Sequence, residues 1–125
     1  MALQIGIGIG MEKNPLAAAQ TATRQAISNL KSDKISLAMV FSSIEFASPE
    51  TLKVIGDLLG PTAPIVGCSS LAVISYQGVY KYGILVALIS LPEGAYLNTA
   101  ASHQVDSKTT LQAGQELGNK LLYGF

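Results

Sequence analysis

Residues Leu3 to Gly10 alternate without a break. Leu3, Ile5, Ile7 and Ile9 fall on one side of an extended chain, and Gln4, Gly6, Gly8 and Gly10 on the other. The period of two predicts a strand with one bulky face and one nearly bare face. Glycine weakens a strand, so a glycine face implies that something approaches it closely. The next segment supplies a partner. Asn14 can cap a helix and Pro15 suits its first position, and the helix should run to about Lys31. Leu16, Ala19, Thr23, Ala26, Ile27 and Leu30 form its expected inward stripe. Ala17, Ala18, Ala19, Ala22 and Ala26 keep it thin enough to lie against the bare strand face.

The pattern then repeats. Ile35 to Phe41 is apolar except for Ser36, as expected of a central strand buried on both faces, and Ser42-Ser43 follow it. Ser48 and Pro49 open a second helix with Leu52, Ile55 and Leu59 on its core side, and Gly60-Pro61 stops it. Pro64 to Gly67 reads as a third short strand. The order β-α-β-α-β has crossovers long enough for right-handed parallel units. After Gly67 the rhythm changes. Leu71 to Tyr76, a turn near Gln77-Gly78, and Tyr82 to Leu91 predict an antiparallel hairpin. Tyr96 to Ser102 is a further expected strand. Asp106 or Ser107 caps an expected final helix, Lys108 to Leu122, whose Gly114 and Gly118 lie with Leu111, Leu117 and Leu121 on one face as a groove for close contact. The fold class is therefore α/β with an α+β tendency: a mixed sheet with helices packed on it. Residues 1–125 read as one domain, and an alternating pattern would place another strand after Leu122.

Composition narrows the function classes. Hydrophobic residues make up 49% of the 125 and charged residues 13%, about half the usual charged share. So apolar a chain needs both faces of its sheet covered, or part of its surface buried against something else. The net charge is 0 and no basic cluster exists, which argues against nucleic-acid binding. The apolar run from Ile84 to Ile89 is far below the roughly 18 residues that span a bilayer, and the N-terminus lacks a signal-peptide pattern. One cysteine closes no internal disulfide, and a reducing cytoplasm is the simplest home.

Motifs for catalysis are few. Gly6, Gly8 and Gly10 do not make a dinucleotide loop: the third glycine of that pattern falls on Met11 or on Lys13. Gly67-Cys68-Ser69-Ser70-Leu71 has the outline of a nucleophile elbow, but Leu71 stands at its last glycine and a strand, not a helix, follows. Cys68 with His103, oriented by Asp106, is the available cysteine–histidine pair. Against it, Cys68 reads as a small buried hydrophobe and His103 as an exposed loop residue. One histidine and one cysteine offer no metal-ligand spacing, and no cofactor is implied. A broader constellation remains at the C-terminal ends of the first three strands: Gly10, Ser42, Ser43, Gly67, Cys68, Ser69 and Ser70. Their amides and hydroxyls could hold a small polar ligand through its carboxylate. Equally, these serines could serve only turns and caps.

The same residues carry a family resemblance. A strand, an alanine-rich helix, a strand ending at Phe41-Ser42-Ser43, a helix, and Pro64-Ile65-Val66-Gly67-Cys68-Ser69-Ser70 leading into a hairpin resemble the FIST N-terminal domain. The family often reads Gly-Cys-Ser-Thr-x-Gly-Glu-Ile at this place. Ser70 keeps the hydroxyl, while Ala72 and Val73 replace the glycine and glutamate. The resemblance implies a sensory module of a signal-transduction protein that binds small ligands, amino acids among them, and pairs with a C-terminal domain. The expected function is thus non-enzymatic sensing of an amino acid or small carboxylate. The alternative is an assembly module that forms a homo-oligomer or meets a second domain, and a thiol enzyme through Cys68 ranks third.

Overall fold

A computed structural model describes residues 2–123. The chain divides into two compact units, the first ending at Ala95 and the second starting at Tyr96. In the first unit, β1 (Gln4–Gly10), α1 (Pro15–Asn29), β2 (Leu37–Ser43), α2 (Pro49–Leu59), β3 (Ile65–Ser70), β4 (Val73–Ser75), β5 (Gly78–Tyr80) and β6 (Ile84–Ser90) follow in order. The main sheet is mixed and has the order β1-β6-β2-β3. β2 and β3 are parallel, and β6 runs antiparallel to both β1 and β2. The α/β class and the mixed sheet expected from the sequence are both present.

β1 and α1 form the tightest seam. An added Cβ would lie 2.3 Å from the Ala26 carbonyl oxygen at Gly6, 1.9 Å from that of Ala22 at Gly8, and 1.9 Å from that of Ala18 at Gly10. Glycines two apart on the strand thus meet alanines four apart on the helix, each repeat stacking on one face. The expected helical stripe holds at Ala19, Thr23, Ala26 and Leu30, all buried, and is corrected at Leu16 and Ile27. Ala18, Ala22 and Ala26 are fully buried, whereas Leu16 and Ile27 are 40% and 38% exposed. Backbone-to-backbone approach requires the smallest side chains along the seam and leaves Leu16 and Ile27 turned outward. Asn14 caps α1 as expected, its side chain accepting from the Leu16 and Ala17 N–H groups at 2.9 and 3.1 Å.

β6 departs from the expected hairpin. Tyr82 to Leu91 does not pair with Leu71 to Tyr76; Ile84–Ser90 enters the main sheet between β1 and β2, and the hairpin partner of β4 is β5. The reason is burial. Ile84, Val86 and Leu88 are fully buried, each contributing about 1.5–3 kcal/mol of transfer free energy at the sheet centre, which a two-stranded ribbon could not supply. Residues Gly6, Leu88 and Ala38, then Gly8, Val86 and Val40, then Gly10, Ile84 and Ser42 form cross-strand rows beneath the helices. α2 packs beside α1 over the β2–β3 side, with Ile55 and Phe46 in the same core. Ser48 caps α2 and Gly60 ends it, as the sequence indicates.

In the second unit, α3 spans Thr110–Tyr123. Its cap is Thr109, not Ser107 or Asp106: Thr109 Oγ1 accepts the Gln112 N–H at 3.1 Å while Gln112 Oε1 accepts the Thr109 N–H at 3.0 Å, a reciprocal capping box. The strand expected at Tyr96 to Ser102 is absent. That segment's polar groups bond α3 instead, Lys120 Nζ donating to the Ala101 carbonyl at 2.8 Å and Asn98 Nδ2 to that of Leu121 at 2.9 Å. Hydrogen bonds from Lys108 and Lys120 lower the Glu116 pKa to about 2. Among the described residues no atom approaches the Cβ positions of Gly114 and Gly118, so the chain itself makes no close contact there. The position after Leu122 where a further strand was expected falls on Gly124 and Phe125, outside the described residues. Among the described residues no helix is long and apolar enough to cross a membrane.

These two kinds of glycine predict opposite effects. Gly8→Ala should destabilise the protein by about 3 kcal/mol or more, because the methyl meets immovable backbone. Gly114→Ala should instead stabilise α3 by about 1 kcal/mol. Urea denaturation monitored by circular dichroism reads both.

Candidate functional site

The parallel β2–β3 pair positions the site. Its register sets Val40 opposite Gly67, Ser42 opposite Ser69, and Ser43 opposite Ser70. After Ser43 the chain makes a short 3-10 turn, Ile44–Phe46, which buries Phe46 and delivers Ser48 to the start of α2. A cavity of about 570 Å³ lies between α2 and this strand pair. Val40, Phe46, Leu52 and Ile65 supply apolar wall, and Ser42, Ser48, Thr51 and Ser69 supply hydroxyls. No carboxylate, lysine, arginine or histidine lines it.

Gly67 is what lets β3 sit where it does. A Cβ there would lie 1.7 Å from the Val40 carbonyl oxygen. Bare backbone therefore faces the cavity at Gly67, and any side chain would force the strands apart.

The hydroxyls divide by what already holds them. Ser48 Oγ accepts the Thr51 N–H at 3.1 Å and lies 2.9 Å from Thr51 Oγ1, so both serve the helix cap. Ser43 is fully buried and turns away from the cavity: its Oγ accepts the Gly83 N–H at 3.1 Å and ties the end of β2 to the start of β6. Ser70 Oγ donates to the Ala72 carbonyl at 2.5 Å, shaping the exit from β3. Ser42 and Ser69 are left, among the described residues, as the hydroxyls free to meet a guest.

The structure thus gathers Ser42, Gly67, Cys68 and Ser69 around one cavity and gives Ser43 and Ser70 to the scaffold. Gly10 lies apart. β6 separates its strand from β2, which puts it about 10 Å from Ser42 at two strand spacings, and the Ala18 backbone occupies its open side. Cys68 is corrected: it is an exposed free thiol on β3, not a buried packing residue. His103 belongs to the second unit. The segment Gly67 to Ser70 is also strand, not a loop beyond the strand end. Among the described residues no group of three His, Cys, Asp or Glu side chains could hold a metal ion. Phe46 and Thr51 escaped the sequence reading, and Leu52, expected on the core side of the helix, is instead half exposed on the cavity wall. Ser48-Pro49 marked the helix start, but nothing in the pattern showed that the helix stands off the strands enough to leave a cavity.

The family model of the FIST N domain matches residues 36–124. The chain belongs to the FIST N domain family, a family of sensory domains of signal transduction. The matched span begins just before β2 and includes every residue that lines the cavity. No curated protein matches the chain.

The division of hydroxyls predicts a contrast. Ser43→Ala strands the buried Gly83 N–H and should lower the unfolding free energy by about 1–3 kcal/mol. Ser69→Ala, on an exposed position, should change it by no more than about 0.5 kcal/mol. Equal losses in urea denaturation would contradict the assignment.

Proposed function

We propose that the chain senses a small ligand, an amino acid or small carboxylate, held between α2 and the β2–β3 pair. The observation that carries this reading is the cavity itself: an apolar wall of Val40, Phe46, Leu52 and Ile65 with two uncommitted hydroxyls, Ser42 and Ser69, beside bare backbone at Gly67. That lining suits a guest with a compact apolar body and one polar end. The polar end would take its hydrogen bonds from hydroxyls and amides, since the lining holds no countercharge. A ligand bridging α2 to the sheet would join two elements that the cavity otherwise keeps apart, which is a means of turning occupancy into a signal. The membership in a sensory family supports the same reading. A cytoplasmic setting accords with it, because a reducing medium keeps the exposed Cys68 a free thiol.

The reading is tested by thermal shift with a panel of amino acids and small carboxylates. At least one should raise the melting temperature with concentration, a hundredfold excess over its Kd adding about 2.7 kcal/mol of stability. Leu52→Glu, at a half-exposed position on the cavity wall, should abolish the shift while leaving the unliganded melt close to that of the parent. No shift from any member of the panel at millimolar concentration would count against the proposal.

A further inference from the structure

The two edges of the main sheet are treated differently. β1 and β3 are the edge strands. An edge strand presents unpaired N–H and C=O groups, and soluble proteins blunt such edges. β1 is blunted by its own helix: Gln25 Oε1 accepts the Ile9 N–H at 2.8 Å, and Asn29 Nδ2 donates to the Ile7 carbonyl at 2.8 Å. Two α1 side chains thus stand in for a neighbouring strand.

Among the described residues of the first unit, no side chain covers β3 in this way. The Ala38 N–H donates to the Pro64 carbonyl at 2.9 Å, and the parallel register carries that pattern forward, so Val66, Cys68 and Ser70 bond β2. Ile65, Gly67 and Ser69 therefore turn their N–H and C=O groups outward. Gly67, Cys68 and Ser69 are exposed. The strand carries no charge and no proline, and the nearest charged residues along the chain are Asp57 and Lys81. None of the usual guards is present on an edge that the same molecule guards carefully on its other side.

We infer that the β3 edge pairs with β3 of a second copy of this chain, antiparallel about a twofold axis at Gly67. Charge is the argument for self-pairing: a twofold axis sets each strand against itself, and β3 contains nothing that repels its own image. Register is the second argument. The outward groups must form the hydrogen-bonded pairs, so Gly67 meets Gly67 of the second copy, and Ile65 meets its Ser69. Val66 then lies opposite Cys68 of the second copy in a non-hydrogen-bonded pair. A six-residue strand pair is short of the roughly 800 Å² per partner that a stable interface needs. The hairpin that follows directly supplies exposed apolar area in Leu71, Ile74, Tyr76 and Val79. The inference rests on the edge and the hairpin beside it and is independent of any ligand in the cavity.

The register makes the test specific. Opposed residues of a non-hydrogen-bonded pair have Cα atoms about 4.5 Å apart, within the range a disulfide spans, whereas diagonal neighbours lie about 7–8 Å apart, beyond it. Val66→Cys in the full chain, oxidised and run on a non-reducing gel, should convert most of the protein into a covalent dimer through Cys68 of the second copy. The parent chain and the Val66→Cys/Cys68→Ala double variant should stay monomeric on that gel. Sedimentation of the unmodified parent should show a species of twice 13.0 kDa that grows with concentration. A parent that sediments as a monomer at several hundred micromolar overturns the inference without recourse to a variant. Crosslinking of the double variant or of the oxidised parent overturns the register.

Discussion

The first unit depends on the contact between the glycine face of β1 and the alanine face of α1. Carbonyl oxygens of Ala18, Ala22 and Ala26 lie where side chains would stand at Gly10, Gly8 and Gly6, so the helix is set by backbone against backbone. Such a contact has almost no slack. Interiors tolerate a changed side chain by local repacking, but here the atoms that would have to move belong to two regular elements at once. The same closeness lets Gln25 and Asn29 reach over the edge of β1 and satisfy it. α2 has no comparable seam. Large side chains, Ile55 of α2 and Phe46 of the turn before it, stand in the core there, and larger side chains leave interstices. The cavity lies at that second, looser contact.

Much of this was legible. The period of two in Leu3 to Gly10 and the run of alanines after Pro15 carry the seam almost completely, and the caps at Asn14 and Ser48 are local chemistry that a sequence states directly. What was not legible depends on competition between distant segments. The expected helical stripe holds at Ala19, Thr23, Ala26 and Leu30 but fails at Leu16 and Ile27, because small residues such as Ala18 and Ala22 fit against the glycines in their place. The apolar run Ile84–Ser90 gains more at the centre of a four-stranded sheet than beside a short ribbon, and no local signal near Gln77-Gly78 records that comparison. Tyr96 to Ser102 has the residues of a strand but no edge that its hydrogen bonds join; α3 takes them instead.

The site was half legible for a related reason. A row of small polar residues at strand ends identifies a place but not which of its hydroxyls are spare. Ser42 and Ser43 are neighbours in sequence and point to opposite faces, so one lines the cavity and the other anchors Gly83. Ser69 and Ser70 divide in the same way, one beside the cavity and one tied to Ala72. Strand alternation thus divides the hydroxyls: Ser43 and Ser70 are tied within the scaffold, and the proposed binding concerns Ser42 and Ser69 alone. Cys68 follows a different logic. Its residue type favours burial, but its strand lies at an edge, and edge position overrides the statistical preference.

β3 therefore combines two properties that pull against each other. As a cavity wall it benefits from small, uncharged residues with accessible backbone, and Gly67 is required for the strand to approach Val40 at all. As an edge strand it would be protected by the lysine, proline or bulge that those needs exclude. A charge placed on Gly67, Cys68 or Ser69 would guard the edge but would put an ion on the rim of an apolar cavity, at a desolvation penalty for whatever enters. On β1 no such conflict exists, because its inner face is closed by α1 and its edge can be served by side chains from that helix. The contrast between the two edges follows from which of them borders open space. A strand kept bare along the cavity is bare along its edge as well, and the proposed second copy, uncharged along the same strand, would cover that edge without repulsion.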